Sequence, residues 1–252
     1  MKADFLKDKV ALVTGASKGL GKAMAVALAE AGVKLALVSR DEGLLSGVAS
    51  AIAGVGSEAA VFPADVSDEG QVLALEKAVA ARFGRIQILI NNAGVNLRKP
   101  ITEFTLEEWN RIQATNVTSA FLMCRSFVPH LKGQGYGRIL NMTSMMSHVS
   151  LPGRTAYATS KAALLGFTKT LALELAPEGI TVNGISPGPC TTEINKPLLE
   201  NAELTQFFLS RVPLGRWGRP EEIGELAVYL CSEAAGFITG TDIVIDGGWT
   251  AQ

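Results

Sequence analysis

The sequence predicts an α/β fold, a single domain built on a doubly wound parallel sheet of seven strands with helices over both faces. Three observations carry that prediction. Short apolar runs rich in β-branched residues alternate with helical patterns from residue 10 to residue 248. The first run, Val10–Thr14, is followed at once by a glycine loop and an alanine-rich helix. The chain of 252 residues, 48% hydrophobic with a mean hydropathy of +0.25, is long enough for one large core.

In Val10–Thr14 nothing alternates with polar residues, as expected of a central strand covered on both faces. The chain then turns through Gly15, Ser17, Lys18, Gly19 and Gly21 and resumes as a helix with Ala25, Leu28 and Ala29 on one face. A strand, a tight loop and a helix start in that order aim free backbone N–H groups and the positive helix end at one spot, which suits a pyrophosphate. The glycines allow positive φ and let phosphate approach the backbone. Their spacing is Gly15-x-x-x-Gly19-x-Gly21; a purely structural turn is the competing reading.

Lys34–Ser39 reads as the second strand and residues 41–55 as the second helix. An acidic residue closing that strand would bind the adenosine ribose and repel a 2′-phosphate. Ser39 and Arg40 stand there instead, with Lys18 in the loop, and this favours NADP over NAD, though either cation alone also reads as a solvated surface charge. Residues 58–63 form a third strand leading to Asp65 and Val66, and a helix over 68–83 is expected to be capped by Ser67. The fourth strand, 86–90, runs into Asn91-Asn92-Ala93-Gly94, small and amide residues at a strand end where such sheets place ligands.

Two long helices, 107–132 and 157–176, bracket a strand at 138–143; 180–185 and Asp242–Ile245 complete the sheet. Residues 193–220 break the rhythm. Their Leu198, Leu199, Phe207 and Phe208 on a helical pattern read as a mobile substrate cover or as a docked structural helix.

A net charge of −1 gives no electrostatic basis for binding nucleic acid or an anionic membrane. No apolar run reaches the ~18 residues of a membrane span, and the first nine residues hold no leader core, so a cytoplasmic protein is expected. Cys124, Cys190 and Cys231 show neither metal nor redox spacing; no metal is expected, and Cys124 and Cys231 read as core fillers.

The chemistry gathers around Tyr157 and Lys161, four apart at a helix start and therefore on one face. An ammonium beside a phenol lowers its pKa toward the working range and makes Tyr157 an acid/base group. Ser144, ending a strand, can polarise the same substrate oxygen. Asn116, within the preceding long helix, is either a structural hydrogen-bonding group or the holder of a water that links Lys161 to solvent.

Together Thr14-Gly15-x-x-x-Gly19-x-Gly21, Asn91-Asn92-Ala93-Gly94, Asn116, Ser144, Tyr157 and Lys161 resemble the short-chain dehydrogenase/reductase family, whose fold is of the Rossmann type. The resemblance spans residues 10–248. It implies Tyr157 as general acid/base, Ser144 as the group orienting the carbonyl, Lys161 as a ligand of the nicotinamide ribose and Asn116 in a proton relay. It further implies a dinucleotide held by the loop including Leu20, by Asp65 and Val66 at the adenine, by Asn92, Ala93 and Gly94, and by Pro187, Gly188 and Thr192 at the nicotinamide.

Within the family, Gly94-Val95-Asn96-Leu97-Arg98-Lys99-Pro100 and Arg216-Trp217-Gly218-Arg219-Pro220-Glu221-Glu222 look like the gluconate 5-dehydrogenase group, which interconverts a sugar acid and its keto form. The alternative is 3-oxoacyl-[acyl-carrier-protein] reductase, whose carrier-docking arginines are here replaced by Pro129 and Leu173. A catalytically idle nucleotide-binding regulator is a third reading, disfavoured because Tyr157 and Lys161 are both present. Asn96, Arg98, Lys99, His148 and Arg154 are candidates to ring the substrate mouth, each equally readable as a solvated loop group. The family resemblance also implies a homotetramer paired through the two long helices, with Trp249 either in a subunit contact or capping its own fold.

Overall fold

A computed structural model describes residues 5–252; residues 1–4, part of the stretch read above for a leader, lie outside the described residues. All seven strands form: β1 (Val10–Thr14), β2 (Lys34–Ser39), β3 (Ala59–Pro63), β4 (Ile88–Asn91), β5 (Gly137–Met142), β6 (Ile180–Pro187) and β7 (Asp242–Ile245). They pair in parallel in the order β3-β2-β1-β4-β5-β6-β7. The connections change direction between β1 and β4, which opens a crevice at the carboxyl ends of those strands.

The helices are α1 (Gly19–Glu30), α2 (Glu42–Gly54), α3 (Glu69–Phe83), α4 (Leu106–Gln113), α5 (Ser119–Leu131), α6 (Thr155–Leu175), α7 (Lys196–Leu199), α8 (Ala202–Leu209) and α9 (Pro220–Cys231). Because side chains alternate along a strand, β1 to β6 each feed two cores. Ala11, Val13, Leu35, Leu37 and Ile90 pack against α1, α2 and α9. Val10, Leu12, Val38, Leu89 and Ile139 pack against α3, α5 and α6. Cutting a fully buried residue such as Leu12 to Ala costs about 2–5 kcal/mol. Among the described residues no helix is long and apolar enough to cross a membrane.

Two local expectations are corrected. Asp68, not Ser67, caps α3: its carboxylate accepts from Gln71 N at 2.9 Å, while the Ser67 hydroxyl and amide are both spent on Asp65 Oδ1. The helix expected over 107–132 is interrupted by a wide π-type turn at residues 114–118, between α4 and α5, and Asn116 sits in that turn.

The segment 193–220 is docked. Leu198 and Phe208 pack with Met145, Met146, Val212 and Trp249 in a third cluster, with the Phe208 and Trp249 rings 5.5 Å apart. Trp249 therefore caps its own fold.

At the crevice, Thr14 stitches β1 to the exit of β4. Its hydroxyl accepts from Asn92 N (2.9 Å) and Ala93 N (3.0 Å) and donates to Ile90 O (3.2 Å). The Asn92 amide answers by donating to Thr14 O and Gly15 O. Replacing the hydroxyl with a methyl leaves two amides without an acceptor. Thr14→Val is expected to destabilise the protein by about 2 kcal/mol in urea denaturation, and Thr14→Ser by less than about 1 kcal/mol; equal losses would contradict the stitch.

Candidate active site

A cleft of about 1110 Å³ runs along the carboxyl ends of the strands. At one end it is walled by Gly15, Ser17, Lys18, Gly19 and Leu20, with Ser39, Arg40, Asp65 and Val66 beside them. Asn92, Ala93 and Gly94 line its middle, and Ser144, Tyr157, Lys161, Pro187, Gly188 and Thr192 line the other end. The fold thus brings the catalytic and cofactor-binding candidates Ser144, Tyr157, Lys161 and the dinucleotide loop residues to one surface, while Gly21 and Asn116 lie behind it.

Gly15 and Gly19 have φ of +63° and +55°, a region that favours glycine. Gly21 is required by packing: a Cβ there would stand 2.2 Å from Gly15 O. Arg40 lies 3.6 Å from Asp65 Oδ2 and, like Lys18, is exposed. Burial works against the Asp65 charge, but hydrogen bonds from Ser67 and the Arg40 charge outweigh it and hold the carboxyl below its usual range.

At the other end Ser144 follows β5 and caps a short turn, its hydroxyl accepting from Met146 N at 3.1 Å. The Tyr157 hydroxyl faces Ser144, which favours its ionised form. Burial pushes the Tyr157 pKa up; Ser144, Arg154 and Arg98 each pull it back, without cancelling the rise. The pull expected from Lys161 is not the one found. The amine lies 5.8 Å from the Tyr157 ring centroid, turns inward to donate to Met142 O at 2.5 Å and is 5% exposed. Burial holds its pKa down to about 8, so its charge is itself marginal at mild alkaline pH.

Asn116 makes structural hydrogen bonds: its Oδ1 accepts from Val95 N, and its Nδ2 donates to Val95 O and Ser160 Oγ. It holds the loop after β4 against α6.

Of the five candidates for the substrate mouth, Asn96 and Arg154 line the cleft. Lys99 is tied to Glu108 at 2.5 Å, and Arg98 reaches Asn195 of the docked segment at 3.2 Å. His148 points away, to Asp242 Oδ2 at 2.6 Å. Asp242 also accepts from Thr143 Oγ1 (2.5 Å) and Ser186 Oγ (2.6 Å), knotting together the strand ends that precede Ser144 and Pro187. Sequence reading missed this knot because its members come from β6, β7 and the exit of β5, with no shared spacing. Arg111, on α4, is a further cleft residue that the sequence reading did not single out. Cys190 is inert: burial, with the Glu222 charge, pushes its thiol up to about 12.

The doubly wound sheet, its glycine loop and the Ser144, Tyr157, Lys161 wall define an oxidoreductase that acts on CH–OH groups. Comparison with known proteins agrees. A family model described as enoyl-(acyl carrier protein) reductase matches residues 15–250. The chain is 40% identical to D-threitol dehydrogenase of Mycolicibacterium smegmatis, covering 99% of this chain and 96% of the relative, and 38% identical to a 3-oxoacyl-[acyl-carrier-protein] reductase of Synechocystis, covering 96% and 97%. The crystal structure of a gluconate 5-dehydrogenase from Burkholderia cenocepacia in complex with NADP and tartrate superposes with a TM-score of 0.94 at 33% identity, over 100% of both chains. The chain belongs to the short-chain dehydrogenase/reductase family.

The depressed Lys161 pKa has a stability consequence of definite sign. The folded chain prefers the neutral amine, so protonation costs stability below pH 8, and the cost fades as pH rises from about 8 toward the ordinary 10.5. Relative to Lys161→Gln, the ligand-free wild type is expected to gain about 2 kcal/mol between pH 7 and pH 10 in urea denaturation; a pH-independent gap would contradict it.

Proposed function

We propose that the chain is an NADP(H)-dependent oxidoreductase interconverting a secondary alcohol and a ketone, with sugar acids and their keto forms as substrates. The observation that supports it best is Ser144 and Tyr157 set together in the wall of a cleft that continues onto the glycine loop. That loop fits a dinucleotide: the crowding at Gly21 and the positive φ of Gly15 and Gly19 keep backbone N–H groups open at the start of α1. Lys18, Ser39 and Arg40 at its rim suit a 2′-phosphate, and Asp65, Val66, Asn92, Ala93, Gly94, Pro187, Gly188 and Thr192 would hold the rest.

When bound, the nicotinamide supplies or accepts the hydride. Tyr157 then gives a proton to the substrate oxygen or takes one from it, and Ser144 donates a hydrogen bond to the same oxygen. In that exchange Arg154 and Arg98, on the near side, favour the phenolate. Lys161 is assigned to the nicotinamide ribose and to proton supply, and Asn116 supports it by fixing the loop through Val95. Residues 193–220 are assigned as the substrate cover. Exposed Leu106, Phe121 and Leu173 on α4, α5 and α6, and exposed Phe237, provide apolar faces for a homotetramer. Three buried free cysteines suit the cytoplasm.

The 3-oxoacyl-[acyl-carrier-protein] reductase reading is favoured by the Synechocystis relative. Against it, Pro129 and Leu173, where those reductases carry docking arginines, are exposed and apolar.

A screen of keto sugar acids, 3-oxoacyl thioesters and simple ketones with NADPH and NADH, followed by nicotinamide absorbance, tests the reading; turnover confined to thioesters would replace it. Tyr157→Phe is expected to lower kcat by about 10²–10⁴-fold, with dinucleotide affinity within a few-fold. Arg40→Asp is expected to move preference from NADPH toward NADH, read from kcat/KM for both in both proteins.

A further inference from the structure

We propose that Arg154 reads a carboxylate on the substrate, so that the enzyme selects hydroxy and keto acids over their neutral counterparts; this deepens, and rests on, the oxidoreductase reading above. The Arg154 side chain is only 7% exposed, yet among the described residues its guanidinium has neither a hydrogen-bond acceptor nor a carboxylate at ion-pair distance. What remains open of it faces the cleft. A buried charge without a partner is costly and is kept where a ligand completes it. The contrast within the same fold is direct. Arg138 is as deeply buried, at 4% exposed, but donates to Gly137 O and Ser232 O.

Position specifies the ligand further. Arg154 immediately precedes α6 and stands three residues before Tyr157, so the two share one face of the helix start. An anion held there belongs to the molecule whose oxygen meets Tyr157. A second guanidinium, Arg98, acts on Arg154 from the loop after β4; the two repel each other in the absence of an anion and would share one. Burial and Arg98 push the Arg154 pKa down to about 10, which leaves it charged at neutral pH. The nearby amine of Lys161 is turned to Met142 O, and Glu193 lies at the other end, against Gly19, so neither competes. Asn96, another residue of the cleft lining, adds a buried Oδ1 without a donor, which a substrate hydroxyl would supply after a small turn of the amide. A cation for a carboxylate and an acceptor for a hydroxyl describe a hydroxy acid.

The test uses isosteric acid and amide pairs: gluconate and gluconamide, tartrate and tartramide, 3-hydroxybutyrate and 3-hydroxybutyramide. With NADP present, the wild type is expected to favour the acid of the pair it turns over by about 100-fold in kcat/KM. Arg154→Gln is expected to lose about 100-fold more on that acid than on the amide, any loss through Tyr157 being common to both, while Arg154→Lys keeps most of the preference. An unchanged urea denaturation midpoint reports an intact fold. Equal losses on acid and amide, or a wild type indifferent to the charge, would overturn the proposal. If no pair is turned over, the sugar-acid substrate reading fails by itself, and calorimetric binding of the same acids and amides still decides the carboxylate site: acid binding that Arg154→Gln abolishes sustains it, and binding unchanged by Arg154→Gln, or absent, sinks it.

Discussion

The Thr14 hydroxyl is the interaction on which the site depends. One oxygen at the end of β1 receives two consecutive amides from the chain leaving β4 and passes its own proton to Ile90 O. It closes the gap left where the strand connections reverse direction, and it fixes the glycine loop relative to the turn at Asn92. Everything in the cleft is measured from that junction: the Asn92 amide lies across Thr14 O and Gly15 O so closely that a Cβ on Gly15 would come within 2.8 Å of it. The glycines here answer to crowding by the protein itself as much as to any ligand.

Much of this was legible in the sequence where the physics is local. An unbroken apolar run such as Leu35, Ala36, Leu37 and Val38 has one comfortable fate in a chain of alternating elements, and it became a strand buried on both faces. Site residues at strand ends were legible for the same reason, since the fold leaves them nowhere else to face. What failed was competition between neighbours. Ser67 and Asp68 are both good caps, and only the geometry of Asp65 decides which is free to serve. The helical spacing of Tyr157 and Lys161 was read correctly, but a four-carbon stem can turn its amine either way, and Met142 O claimed it. His148 looked like a mouth residue until β7 brought Asp242 beside it.

The electrostatics around Tyr157 follow from burial. Two arginines and a lysine surround one phenol in a cleft with apolar walls at Met145, Met146, Leu198 and Phe208. Burial weakens the charge on Lys161 and Arg154 and also opposes the phenolate. Burial thus works against every charge in the site: it partly desolvates the cations and raises the pKa of the phenol. Such an arrangement is costly in a structural core and reasonable in a place that a charged ligand completes.

The carboxylate knot behind Ser144 carries a consequence for lineage. Asp242 can sit between Thr143, Ser186 and His148 only because its strand partner on β6 is Gly184, where a Cβ would fall 2.0 Å from Asp242 Oδ1. The two positions are thus one character with two letters. A descendant that gains a side chain at 184 has to surrender the aspartate, and one that loses the aspartate is free to let the glycine drift.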